Sequence, residues 1–272
     1  MSGIRGVAVG FYGVKKIFTK GTDPLTVIDK LTLQTEENEL TCIVGPSGCG
    51  KSTLLNLVAG LSPVDEGRVE FRGRPVTSVN TDIGYVTQDS NLLPWCTVLE
   101  NILLPLDIRN VGKTSAERRS LALDWIAQVG LDGFEHHYPH QLSGGMQKRV
   151  SIARTLVYDP DVILMDEPFG PLDAITKLVL QNLLLRLWQE RQKTIIYVTH
   201  DLTEAITLGD RVVIMTKRPG TVKAVLPVRM ARPRDAFSLS ETPEYAAIHR
   251  QFWELMRPEV IEVDEGRGQA SR

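Results

Sequence analysis

From Gly45 to Thr53 the chain reads Gly45-Pro46-Ser47-Gly48-Cys49-Gly50-Lys51-Ser52-Thr53. Its glycines let backbone amides converge on an anion, and a helical run over Leu54 to Leu61 adds the favourable field of a helix N-terminus. At this spacing Lys51 reaches the β- and γ-phosphates of a nucleotide, and the Ser52 hydroxyl is set to ligate Mg²⁺. Later, Val162-Ile163-Leu164-Met165 runs into Asp166-Glu167. An apolar strand ending in two carboxylates delivers them to the edge where open α/β sheets hold their ligands. There Asp166 suits the Mg²⁺ shell and Glu167 suits polarising a water in line with the γ-phosphorus. Cys49 lies near Lys51 and the helix start, but it reads as a small residue that fits the loop and receives no catalytic role.

These groups need a mainly parallel sheet to bring them together. Short β-rich runs alternate with helical patterns, as such a sheet requires. The expected strands are Leu40 to Val44, Ile83 to Thr87, Val162 to Asp166, Thr194 to Thr199 and Arg211 to Thr216. Ala174 to Gln192 reads as a helix, with Leu180, Leu183, Leu184 and Leu187 at helical spacing. Between about Asp89 and Tyr158 the strand signal disappears. Helices over Val98 to Val111 and Ser115 to Val129, and a third starting near Ser143, make that stretch a helical insertion. After Val228, Pro and Arg punctuate the chain. A short amphipathic helix follows, carrying Ile248, Phe252, Leu255 and Met256 on one face, and polar residues from Asp264 onward read as a frayed tail.

The chain has 272 residues, 42% hydrophobic and 24% charged, as expected of a globular protein with a sizeable core. A net charge of -2 argues against sequence-independent nucleic-acid binding, which needs a basic surface. The three cysteines lack metal-ligand spacing and point to a reducing compartment. His136, His137 and His140 have no acidic or Cys ligands at metal-site spacing and read as structural. Met1 to Gly10 has no secretory pattern, and the longest apolar runs are too short to span a bilayer, so a cytosolic chain is expected.

Leu142-Ser143-Gly144-Gly145-Met146-Gln147 resembles the signature sequence of ATP-binding cassette (ABC) ATPases. Other features follow in that family's order. Phe18 sits where the family places an aromatic against adenine, and Gln88 ends a strand as the Q-loop glutamine does. Leu172-Asp173 resembles the D-loop, and His200 resembles the switch histidine. The resemblance implies an α/β fold of the P-loop NTPase kind: a RecA-like core with an inserted α-helical subdomain and a small antiparallel β-subdomain. It would cover 4–228, the helical part being about 89–158, with a C-terminal extension over 229–272. ATP and Mg²⁺ are the implied cofactors. The first turn of the third helix offers free amides and a hydroxyl to an anion. By resemblance, Ser143, Gly144, Gly145 and Gln147 face the γ-phosphate of an opposite subunit in a homodimer. Gln88, with Ser52 and Asp166, would sense Mg²⁺ and the attacking water. His200 would contact the γ-phosphate, and Asp173 would communicate across the dimer.

Leu93-Pro94-Trp95, Glu167-Pro168-Phe169-Gly170, Arg232-Pro233-Arg234-Asp235 and the Glu244 to Val260 segment with His249 and Trp253 resemble the nitrate/sulfonate/taurine-type importer branch. Cys96 stands where Arg is expected there, and Pro171 where Ala is expected. The implied function is the ATP-hydrolysing subunit of an importer. It would sit at the cytoplasmic face of the membrane and drive uptake of nitrate, a sulfonate, taurine, bicarbonate or a related solute. Its partners would be separate permease subunits and, indirectly, a solute-binding protein, with no nucleic acid. A soluble ABC-type ATPase acting on nucleic acid or ribosomes, and an exporter motor, stay open as alternatives.

Overall fold

The computed structural model describes residues 6–20 and 23–268. In chain order it begins with β1 (Val7–Lys20), β2 (Asp23–Glu36), β3 (Leu40–Val44), α1 (Lys51–Val58), β4 (Glu66–Phe71), β5 (Arg74–Pro75) and β6 (Ile83–Val86). The helices α2 (Val98–Ile108), α3 (Ser115–Gln128) and α4 (Gly144–Leu156) come next, before β7 (Val162–Asp166). The remainder is α5 (Ala174–Arg191), β8 (Thr194–Thr199), α6 (Leu202–Leu208), β9 (Arg211–Met215), β10 (Val222–Pro227) and α7 (Pro243–Gly268).

The six-stranded sheet has the order β10-β9-β3-β8-β7-β6, with every neighbouring pair parallel except β10 with β9. Its parallel strands are buried on both faces, which is why they read as continuous apolar runs. Leu40, Cys42, Val44, Ile163, Met165, Ile195 and Tyr197 face a core shared with α2 to α7. Alternate residues Ile43, Leu164, Ile196 and Val198 face a second core with α1 and the smaller sheet. In that smaller sheet, of order β2-β1-β4-β5, the strands β1 and β2 run 14 residues each. Residue pattern did not reveal β1 and β2, because register shifts at Val7/Val9, Phe11/Val14, Val14/Lys16 and Lys16/Ile17 break their alternation.

Helices α2 and α3 each begin with a reciprocal cap, Thr97 with Glu100 and Thr114 with Glu117. The expected end of the first at Val111 comes earlier, at Ile108, since Asn110 takes a left-handed φ of 53°. The C-terminal segment differs more. The helix expected to be short runs 26 residues, through Gly268, so Asp264 to Gly268 are helical rather than frayed. Residues 269–272 of the expected tail lie outside the described residues. Phe252 and Met256 are 1% and 5% exposed in the first core, and burial of each contributes roughly 1.5–3 kcal/mol.

The Arg232-Pro233-Arg234 stretch is a rivet rather than a spacer. Arg234, buried, donates to the carbonyls of Ile206, Thr207 and Gly209 at the end of α6. Burial brings its guanidinium down to about 10, with Arg232 adding to the effect. Arg232 donates to Asp210 and to the Leu208 carbonyl while lying over the Trp188 ring. Cations at a helix C-terminus satisfy carbonyls that have no partner within the helix.

Candidate functional site

Strands β3, β8, β7 and β6 are neighbours, and each leads at its C-terminal end to one of the singled-out groups. After β3 the loop closes into α1 through Gly50, whose φ of 104° an L side chain rarely adopts. A Cβ built there would also lie 2.9 Å from Ile28 Cγ1. Lys51 is buried and its Nζ donates to the carbonyls of Gly45 (2.9 Å) and Pro46 (3.1 Å). Ser47 and Gly48 are exposed, while Pro46 and Thr53 are half-buried. Cys49 is 1% exposed, and burial pushes its thiol up despite the nearby Lys51 charge. It packs beneath the loop, against Gly45.

Ser52 donates its hydroxyl to Asp166 Oδ1 at 2.9 Å. Burial raises the Asp166 carboxyl above the usual carboxylate range, the Ser52 hydrogen bond opposing it. Glu167 has a φ of 41°, uncommon for a residue with a side chain and disfavoured before Pro168. Its amide donates to the Val198 carbonyl (2.9 Å), fixing it against β8. The carboxylate stands between two side chains: Lys51 Nζ is 3.8 Å from Oε1, and His200 Nδ1 is 2.8 Å from Oε2. Where Nδ1 donates to that oxygen, Nε2 is the ring nitrogen left free. Gln88 is exposed just after β6, and its Nε2 would lie 3.5 Å from a Cβ built at Gly170, in the loop of the acidic pair.

The six-residue segment from Leu142 to Gln147 lies elsewhere, in the insertion. Ser143 caps α4, its Oγ accepting from the Met146 amide at 3.3 Å. That leaves the hydroxyl proton for another acceptor. Ser143 and Gly144 are exposed, but Gly145 is buried so tightly that a Cβ would meet Thr176 Cγ2 at 2.6 Å. Gln147 does not join this edge. Its Nε2 donates to the carbonyls of Pro139 (2.9 Å) and Leu142 (3.3 Å), so it braces the preceding turn. Asp173 caps α5, accepting from the Thr176 amide at 3.0 Å, and the side-chain and backbone hydrogen bonds from Thr176 hold its carboxyl low. Ser143, Gly145, Met146, Ile175 and Thr176 share a cleft of about 310 Å³.

Phe18 is 43% exposed on β1, its ring centroid 5.3 Å from Lys16 Nζ. The His137 carbonyl accepts from the Val98 amide, and His140 stacks on Tyr138. Among the buried charged groups that the sequence analysis did not single out are Lys148 and Glu204. Lys148 follows the signature segment on α4. Glu204, on α6, accepts from Tyr197 (3.0 Å) and Thr199 (2.8 Å) and lies 3.6 Å from Lys177 on α5. Burial raises its carboxyl. No residue pattern announces either; only burial does.

A family model described as ABC transporter matches residues 28–170. The chain belongs to the ABC transporter family. An uncharacterized ABC transporter ATP-binding protein of Methanocaldococcus jannaschii is 44% identical over 90% of this chain and 90% of its own length. The bicarbonate transport ATP-binding protein CmpD of Synechocystis sp. is 43% identical over 85% of this chain and 83% of the relative. An aliphatic sulfonates import ATP-binding protein SsuB of Bacillus cereus is 42% identical over 86% and 91%. Among solved structures, a dimeric ATP-binding cassette in a post-hydrolysis state bound to ADP and Pi superposes with a TM-score of 0.73. It is 35% identical, over 82% of this chain and 100% of that one. This ABC chain is an ATPase subunit, with the P-loop NTPase architecture of its family. Among the described residues no helix is long and apolar enough to cross a membrane.

Proposed function

We propose that this ABC ATPase powers import of a small solute, hydrolysing Mg-ATP between two copies of itself. The observation that carries the reading is the convergence of Lys51, Ser52, Asp166, Glu167 and His200 on one sheet edge. The P-loop amides cradle the phosphates, and Lys51 leaves its two loop carbonyls for phosphate oxygens. Phe18 packs against the adenine. Glu167 takes up the attacking water's proton or orients that water, and His200 contacts the γ-phosphate through its free ring nitrogen.

The residues present fit Mg²⁺. Hydroxyl, carboxylate and amide oxygens from Ser52, Asp166 and Gln88 are hard donors, and a nucleotide-borne ion needs few protein ligands. Bound there, the ion would neutralise phosphate charge as the bond to the γ-phosphorus breaks. It would also offset the cost of keeping Asp166 charged in its half-buried position.

Ser143, Gly144 and Gly145 have an anion-binding edge with no reacting group of their own chain in their cleft. They suit the γ-phosphate held by a second copy, with Asp173 beside the same seam. The names of the relatives support bicarbonate or sulfonate-type uptake, and the partners in this reading are a separate permease and, indirectly, a solute-binding protein. The chain would then sit peripherally at the membrane. Glu167→Gln protein with ATP is expected to sediment as a dimer. A deletion strain is expected to lose uptake of one labelled solute among bicarbonate, nitrate, taurine and sulfonates; unaltered uptake of all four would end this assignment of solute class.

A further inference from the structure

We propose that Lys148 is a positioning residue for ATP hydrolysis, fastening the loop that carries Gln88 to the helix whose first turn is Ser143-Gly144-Gly145. Its side chain is 1% exposed, and Nζ donates to the carbonyls of Thr87 (2.9 Å) and Gln88 (2.7 Å). Farther along α4, Arg154 donates to the carbonyls of Ser90 (3.1 Å) and Asn91 (2.8 Å). Two cations of one helix thus take four carbonyls of a five-residue loop. Loop carbonyls ordinarily turn to water. Here they are held by the element that presents the signature edge, so loop and helix shift together. Trp95, just beyond the loop, is 72% exposed, and a push there reaches Gln88 and Ser143 through the same strap.

Burying an ammonium against carbonyls instead of a carboxylate costs stability, which a merely structural lysine would avoid. Burial brings the Lys148 amine down to about 8, with Asp89 on the loop opposing and Arg154 on α4 reinforcing.

The inference rests on the reading of Gln88 as a group beside the attacking water. The test uses the full chain with Mg-ATP and the variants Lys148→Met, Lys148→Arg, Gln88→Ala and the Lys148→Met/Gln88→Ala pair. Lys148→Met is expected to lower kcat by about tenfold to a hundredfold, the scale of a misplaced reacting group, with KM for ATP nearly unchanged. Lys148→Arg should restore most of the rate. The double variant should be no slower than Gln88→Ala alone, since both act through one group. An unaffected Lys148→Met beside a slow Gln88→Ala overturns this inference and leaves the reading of Gln88 standing. A wild-type rate in Gln88→Ala overturns both. A kcat loss that tracks a lowered Tm, is not rescued by Arg, or adds to the Gln88 effect makes Lys148 structural and ends the proposal.

Discussion

The P-loop edge and the first turn of α4 are both anion sites made from backbone amides, yet they keep different company. Around the P-loop, Lys51, Ser52, Asp166, Glu167 and His200 are joined by contacts of 2.8 to 3.8 Å. Around Ser143 the cleft is lined by Gly145, Met146, Ile175, Thr176 and the cation Arg149, with no carboxylate or histidine in its lining. In the proposed reading the first region carries the reaction and the second only steadies charge. In the proposed sandwich each copy lends its second region to its partner's first.

The largest effect should come from the P-loop side. Glu167→Gln is expected to slow phosphate release by about a thousandfold, within the range for losing a general base, while nucleotide binding persists in a fluorescence titration. Unchanged turnover would erase the contrast between the two regions. Next, Ser143→Arg should cost about a hundredfold, the scale of a lost anion-stabilising donor, without weakening nucleotide binding to the single chain. Mixing Ser143→Arg with Glu167→Gln chains should recover activity, because one of the two shared sites then has both halves intact. Failure to recover would mean that the α4 edge serves its own chain.

A smaller effect sharpens the electrostatic side. A carboxyl raised in the folded state contributes less stability as pH climbs from its unfolded value through its folded one. Asp166→Asn is therefore expected to raise the Tm of nucleotide-free protein at neutral pH even as it impairs Mg²⁺-dependent turnover. A lowered Tm would show that the Ser52 bond outweighs burial. Smallest of all, a maleimide should label half-buried Cys96 well before Cys42 and Cys49, which are buried and whose thiols burial pushes up. Fast labelling of Cys49 would mean that the loop opens.

The parallel strands were legible because burial on both faces leaves an apolar run that no other element mimics at that length. The helices of the insertion were legible because the strand signal gives out between Asp89 and Tyr158. By contrast, β1 and β2 were hidden by bulges, and α7 was judged too short because its polar end gives no periodic signal. At the candidate site, Ser143 and Glu167 were each singled out from motif order. Gln147 was misplaced because a motif gives membership of a segment and not the direction in which a side chain points.

By itself the sequence determined the chemistry on offer: which residues can cradle phosphate, hold a divalent ion and activate water, and in what order they occur. Those properties belong to residue type and local spacing. Tertiary structure alone decided that Glu167 stands between Lys51 and His200, that Arg234 rivets the C-terminal segment to α6, and that Lys148 spends its charge on the Gln88 loop. Each of these depends on groups far apart in the chain meeting where water is excluded, and burial is a property of the packed molecule rather than of any segment.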